Sequence, residues 1–285
     1  MTPPKKNIWI TGASGQLGVA WKRLAAGDAE FAYLFTDVEV DIADHDAVER
    51  FLANHRVDCI VNGAAYTAVD RAESDLETAR RINVRGVENL ARAAIGIDAT
   101  LIQISTDYVF DGQACFPYRE EDPPHPESVY GATKLAGEEA LQYSRCRGII
   151  VRTSWLYSLD GHNFLTTMLR LGAEREVISV VNDQRGTPTR TGDLAGAIRT
   201  IIPQLFEAPL YGGIFHFSNA GNCTWYDFAR QIIALSGLPA RVEPIATADY
   251  PAIAPRPAYS VLDKGKIGRV FGITPRPWEE ALAEE

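Results

Sequence analysis

Five short apolar runs, each followed by a longer stretch of mixed polarity, constrain the fold of this chain more than any other feature. The runs occupy residues 8–10, 31–35, 59–61, 101–104 and 149–151. Between them, apolar positions recurring at helical spacing predict helices over 16–26, 43–54, 76–95 and 129–143. Strands that alternate with helices imply an α/β fold, a doubly wound parallel sheet of Rossmann type with helices on both faces. Continuously apolar strands fit a sheet buried on both sides. The second half reads as a helix at 163–174, a strand at 177–181, a helix at 193–206 and a strand at 213–217, two of these pieces extending the same sheet. From residue 218 onward one strong helix stands out, 225–236 with Thr224 as its N-cap, followed by a proline-rich stretch at 250–257. A large domain of 1–153 with 177–217, and a smaller discontinuous one of 154–176 with 218–285, follow from these boundaries.

The first strand runs directly into Gly12-Ala13-Ser14-Gly15-Gln16-Leu17-Gly18 and then a helix. Glycines at this spacing let a backbone approach a pyrophosphate, and the N–H groups of a helix N-terminus hold it. At the first strand-to-helix turn of an α/β pattern, the motif predicts a bound dinucleotide. An acidic residue is expected about 20 residues further on, at the end of the second strand. Asp37 stands there. Its carboxylate would accept hydrogen bonds from ribose hydroxyls and repel a 2′-phosphate, so of NADPH and NADH the sequence leans toward NADH.

Tyr130-Gly131-Ala132-Thr133-Lys134 opens a predicted helix, and positions i and i+4 share a face. A lysine ammonium beside a phenol favours phenolate and lowers the phenol pKa from about 10. That tuning suits proton donation to a carbonyl oxygen as hydride reaches the carbon. The fourth strand delivers Ser105-Thr106-Asp107 at its C-terminal end, where ligands of open α/β sheets bind. A hydroxyl there, together with Tyr130, would polarise the substrate oxygen.

Composition narrows the class further. With 28 basic against 37 acidic residues the net charge is −9, and the chain has no basic run, so nucleic acid is not an expected partner. No apolar run reaches the roughly 18–20 residues of a membrane span, and residues 1–6 carry no apolar leader. Cys59, Cys115, Cys146 and Cys223 stand far apart without a CxxC pair, which argues against a disulfide framework or a cysteine zinc site. A cytoplasmic protein is the simplest expectation. The five histidines lack metal-ligand spacing, and His216, Trp225 and Phe228 read as packed residues. Asn83 reads as structural, holding neighbouring strand ends.

The ordered set GASGQLG (12–18), NGAAYTAVDRAE (62–73), STDYVFDG (105–112), YGATKLAGE (130–138), RTSWLY (152–157), NDQRGTPT (182–189) and RPAYSVLD (256–263) resembles the dTDP-4-dehydrorhamnose reductase family of extended short-chain dehydrogenases. The resemblance implies reduction of the 4-keto group of dTDP-4-dehydro-β-L-rhamnose by a nicotinamide cofactor, the larger domain holding NAD(P) and the smaller one the sugar nucleotide. It implies Tyr130 as proton donor, Lys134 as the holder of the nicotinamide ribose, and Thr106 as hydrogen-bond partner of the reacting oxygen. Gly12, Ser14, Gly15, Gln16 and Leu17 would line the pyrophosphate. Asp41 and Ile42 would lie beside adenine, with Ala64, Ala65 and Tyr66 along the cofactor. The family pattern thus offers Asp41 as a rival to Asp37.

On the substrate side the resemblance implies Thr67, Val69, Thr106, Asp107 and Trp155 around the sugar, and Arg256 on the diphosphate, which a guanidinium binds bidentately. Some family members bind Mg²⁺ at a dimer interface through glutamates. Here Gln16 and Thr189-Arg190-Thr191 supply no carboxylate set, so neither the metal nor that dimer is expected, leaving a monomer or weak homodimer. Asp107 is followed by Tyr108 rather than by the glutamate that a dehydratase needs. A related sugar-nucleotide epimerase or reductase, and a non-catalytic dinucleotide-binding subunit of the methionine adenosyltransferase type, remain as alternatives.

Overall fold

The computed structural model describes residues 4–285; the reading of the first three residues as part of a leaderless terminus lies outside the described residues. Five parallel strands follow the apolar runs: β1 Lys6–Thr11, β2 Phe31–Phe35, β3 Cys59–Asn62, β4 Thr100–Thr106 and β5 Gly148–Thr153. The helices between them are α1 Gln16–Gly27, α2 His45–Asn54, a rod made of α3 Leu76–Arg80, a π-helical turn Arg81–Arg85 and α4 Gly86–Gly96, and then α5 Val129–Ser144.

The later elements are α6 Phe164–Glu174, β6 Val177–Val181, α7 Thr191–Glu207, β7 Tyr211–His216, α8 Trp225–Ser236, β8 Arg241–Ile245, α9 Gly265–Phe271 and α10 Trp278–Ala283. The main sheet has six strands in the order β7-β5-β4-β3-β1-β2, every pairing parallel. Alternate residues of one strand feed opposite layers. Ile8 and Ile10 pack with Trp21 and Ile198 on the α1 and α7 side, while Trp9 and Ile60 pack with Val48, Leu90 and Leu141 on the other. No described helix is long and apolar enough to cross a membrane.

One of the two later strands extends this sheet and the other does not. β7 pairs with β5 from Tyr211 opposite Gly148 to His216 opposite Arg152, and so takes the sheet edge. β6 pairs instead with β8, Val177 opposite Arg241, in a separate two-stranded sheet. Its inward residues Ile178 and Val180 join Leu165, Met168, Phe228 and Trp278 in a third core. With the edge beside β5 already occupied, that third core is where an apolar strand following α6 finds cover.

Side chains tie the C-terminal ends of the strands together. Thr11 Oγ1 donates to Asn62 Oδ1 at 2.6 Å, Asn62 Nδ2 to Gln103 Oε1 at 2.7 Å, and Gln103 Nε2 to the Ile104 carbonyl at 2.7 Å. Below them Arg152 of β5 meets Glu138 of α5 in a pair that leaves each side chain 1% exposed, with Nη2 2.6 Å from Oε2. The Ser105 hydroxyl donates to the same carboxylate. Removing one partner of such a pair strands a buried charge, whereas replacing both with apolar groups is close to neutral. Glu138→Leu should therefore lower the free energy of urea unfolding by about 3–5 kcal/mol, and adding Arg152→Met should recover most of that loss.

Candidate active site

The glycine turn forms one end of a cavity of about 840 Å³, which Gly12, Ser14, Gly15, Gln16 and Leu17 all line. Gly12 has φ +67°, and a Cβ there would lie 2.7 Å from the Ala64 amide nitrogen, so no other residue fits. The N-cap of α1 is Gly15, which offers no side-chain cap, and the first turn carries no acidic residue. Its N–H groups are thus left for an anion, which is what a dinucleotide pyrophosphate requires.

Two carboxylates mark the neighbouring wall. Asp37 Oδ2 accepts from the Ser14 amide at 2.5 Å and Oδ1 from the Val38 amide at 2.9 Å, so the side chain is locked against the glycine turn. Asp41 Oδ1 accepts from Ala43 N at 2.9 Å, and Oδ2 meets Arg81 Nη1 at 2.5 Å. The guanidinium and amide donors outweigh burial and hold Asp41 below the usual carboxylate range. Ile42 is buried beneath this wall against the rod at Gly86, and Ala64 and Ala65 line the cavity beyond it.

Tyr130, Lys134 and Thr106 meet where β4 ends and α5 begins, all three lining the cavity. Ser128 caps α5, its Oγ accepting from Gly131 N at 3.1 Å. Gly131 lets the helix close on the Tyr108 carbonyl, where a Cβ would collide. Glu73 Oε1 accepts from Val129 N at 2.8 Å, and Asn83 in the π turn donates to Thr133 Oγ1 at 3.1 Å. Asn83 Oδ1 also accepts from Tyr66 N at 2.9 Å, so this one buried amide braces the loop after β3 against α5.

The lowering of the Tyr130 pKa expected from its spacing to Lys134 is not what this arrangement produces. Lys134 Nζ donates to the Ile104 carbonyl at 2.6 Å. Burial pushes the phenol up to about 12, partly offset by a hydrogen bond to Thr106 and reinforced by the charge of Asp107. Burial likewise lowers Lys134 to about 8 against the pull of Glu138. Asp107 is buried and raised to about 6, with the Ser260 and Thr106 hydroxyls opposing the shift. The apoprotein thus holds a neutral phenol beside a hydroxyl at a strand end.

Trp155, Thr67 and Val69 also line the cavity. Trp155 adopts φ +46°, a strained backbone for a bulky residue and one found mainly at functional sites. Its indole stacks on Trp225 with ring centroids 3.4 Å apart and planes 7° apart. Trp225 packs against the third core, as expected, and its half-buried indole also lines the cavity. His216, by contrast, is fully buried and packed as expected, its pKa lowered to about 3 by burial.

Two sequence candidates fall outside the cavity lining. The Tyr66 hydroxyl donates to Asp75 Oδ2 at 3.2 Å. Arg256 Nη2 meets Asp70 Oδ2 at 2.6 Å, and Asp70 Oδ1 also accepts from Ile253 N and Ala254 N. The proline-rich stretch is thereby fastened to the single helical turn Val69–Ala72 after β3. Arg81, His162 and Gly63 line the cavity without having been singled out in sequence. Among the described residues no group of three or more His, Cys, Asp or Glu side chains is placed to hold a metal ion.

Gly186 lies against the Trp155 indole, where a Cβ would overlap the ring. Gly186→Ala should displace Trp155 from Trp225, weakening the near-UV circular dichroism of the indole pair while the far-UV helical signal is retained. Unchanged near-UV ellipticity would mean the stack tolerates the methyl group.

Known proteins share this architecture. The profile of the RmlD substrate binding domain matches residues 6–285. A dTDP-4-dehydrorhamnose reductase of Aggregatibacter actinomycetemcomitans is 42% identical, covering 96% of each chain. A crystal structure of a dTDP-4-dehydrorhamnose reductase from Clostridium acetobutylicum superposes with TM-score 0.92 at 42% identity, covering 98% of this chain and 97% of that one. That of Bacillus anthracis, solved in complex with NADP, gives TM-score 0.90 at 40% identity over 99% and 98%. With a full-length profile match and relatives this similar, the chain belongs to the dTDP-4-dehydrorhamnose reductase family of Rossmann-type extended short-chain dehydrogenases.

Proposed function

We propose that this chain reduces the C4 carbonyl of dTDP-4-dehydro-β-L-rhamnose with NAD(P)H, giving dTDP-L-rhamnose. The observation that carries the reading is the meeting of Tyr130, Lys134 and Thr106 in the cavity that begins at the glycine turn. Gly12, Ser14 and Gly15 would hold the dinucleotide, whose nicotinamide would supply a hydride for C4. In this reading Thr106 Oγ1 shares the carbonyl oxygen with the Tyr130 hydroxyl, and the proton that completes the alcohol comes from Tyr130. Lys134, anchored on the Ile104 carbonyl, holds the nicotinamide ribose and restores the tyrosine proton. Thr67, Val69, Asp107 and Trp155 form the sugar side. Arg256 reaches the diphosphate by exchanging Asp70 for phosphate oxygens. Residues 154–176 and 218–285, joined by β6, make up the sugar-nucleotide part. With this reading go a cytoplasmic location and a monomer or weak homodimer without Mg²⁺, since Gln16 stands in the glycine turn.

Reduction of dTDP-4-dehydrorhamnose, followed as loss of NAD(P)H absorbance with the product identified by NMR, tests the reading directly. Tyr130→Phe should lower turnover at least about a hundredfold, the low end of what a positioned acid contributes, with the cofactor Kd nearly unchanged. Near-wild-type turnover would assign the proton to another group.

For the cofactor, the favoured form is NADH. Asp37 sits at the end of β2 with its carboxylate bonded to Ser14 N, and a 2′-phosphate would meet it as a like charge. Arg81, the nearby cation on this wall, is held by Asp41. Asp37→Ala should move the ratio of kcat/KM for NADH over NADPH toward NADPH by about tenfold, the effect of roughly 1.4 kcal/mol. An unmoved ratio would remove Asp37 as the discriminating residue.

A further inference from the structure

Three side chains lining the cavity carry a basic group: Arg81, Lys134 and His162. Arg81 is engaged by Asp41, and Lys134 donates to the Ile104 carbonyl beside Tyr130. Neither serves the glycine turn. A dinucleotide pyrophosphate brings two negative charges there, next to the Asp37 carboxylate, and α1 offers backbone N–H groups but no cation in its first turn. His162 is the remaining basic side chain, and it comes from the facing wall.

The segment 158–163 that carries it is fastened to the glycine turn. Gln16 Oε1 accepts from Asn163 Nδ2 at 2.9 Å and from Ser158 Oγ at 3.4 Å. Arg23 of α1 pairs with Asp160 at 2.5 Å, and Leu159 N donates to Glu285 Oε1 at 2.9 Å. Gly161, with φ +72°, reverses the chain just before His162, and Asn163 then caps α6 with a reciprocal bond to Thr166. Every neighbour of His162 is thus tied down, while the imidazole itself is exposed and has no hydrogen-bond partner among the described residues. A rigid strap that presents one unpartnered imidazole to an anion-binding turn is a binding feature rather than a packing one.

We propose that His162 is a cofactor-binding residue, donating an imidazole N–H to a pyrophosphate oxygen of the bound dinucleotide from the side opposite α1. The proposal rests on the dinucleotide reading above. An imidazole N–H serves in either protonation state, so the contact does not depend on ring charge. It also gives the Gln16–Asn163 bond a purpose, since that bond sets the distance between the two walls.

Isothermal titration of wild type, His162→Ala and His162→Gln with NADH and with ADP-ribose tests it. His162→Ala should weaken both ligands by about tenfold, the cost of losing a hydrogen bond to a charged group. His162→Gln, which keeps an N–H donor at similar reach, should stay within about threefold of wild type. Unchanged affinity in His162→Ala overturns the proposal. So does weakening of NADH alone, which would put the imidazole on the nicotinamide half, or a His162→Gln variant as weak as His162→Ala. Wild-type protein that binds neither ligand would instead overturn the dinucleotide reading beneath it.

Discussion

A file of buried side-chain amides across the strand ends holds the two halves of the active site in one relation. Thr11 leads to Asn62, Asn62 to Gln103, Gln103 to the Ile104 carbonyl, and that same carbonyl receives Lys134. Thr11 is the last residue before the glycine turn and Lys134 stands on α5, so one line of hydrogen bonds joins the pyrophosphate end to the catalytic end. Each group in it is buried, and a buried amide without its partner loses far more than one hydrogen bond contributes when made. Sliding β3 or β4 by one residue would leave several such groups unpaired at once. The polar file therefore specifies register where the apolar strands, alike on both faces, specify it only weakly.

The same logic explains the segment after β3. Read as sequence, residues 62–73 are a motif assigned to cofactor and sugar, with no sign of a bracing role. In the fold they are a collar for α5: Glu73 caps its first amide, and Asn83 fixes the Tyr66 backbone to Thr133. Asp70 meanwhile gathers the backbone of 253 and 254 together with Arg256. The helix that presents Tyr130 and Lys134 is thus held from both sides of the cavity, and the π turn is what lets Asn83 reach inward. Turns of that kind concentrate at functional sites because they re-aim one side chain at the expense of helical regularity.

What could be read beforehand follows from range. The strands and the glycine turn are local patterns, and all five apolar runs became strands of the main sheet within a residue or two. Lines of approach between distant segments are not local. The strand 177–181 is apolar enough for the main sheet, and only the occupancy of the β5 edge by β7 decides against it. The Tyr66 hydroxyl is taken by Asp75, nine residues on. Arg256 is committed to an aspartate 186 residues away. The Trp155–Trp225 stack joins two tryptophans 70 positions apart, whose partnership no periodicity encodes. The tyrosine pKa escapes the pattern for a further reason: spacing places Lys134 on the same face but says nothing of the carbonyl that captures it, nor of the burial that raises the phenol.

In the reduction proposed above, with Tyr130 as the acid and Lys134 as its proton source, that raised tyrosine suits the chemistry better than a lowered one would. A phenol pushed to about 12 stays protonated throughout the physiological range, so the acid needed to complete an alcohol is always loaded. It is a weak donor to a neutral ketone, which protects against proton loss before hydride arrives. Once hydride has added, the oxygen becomes an alkoxide, a stronger base than phenolate, and the transfer runs downhill. The phenolate left behind is then the charged species in a dry pocket. Lys134, brought down to about 8 by burial, is poised to return a proton at neutral pH where an ordinary lysine would hold it. Burial thus acts on the two residues in opposite directions and drives their proton affinities apart, so that transfer from the Lys134 ammonium to a phenolate at Tyr130 would run downhill once the phenol has given up its proton.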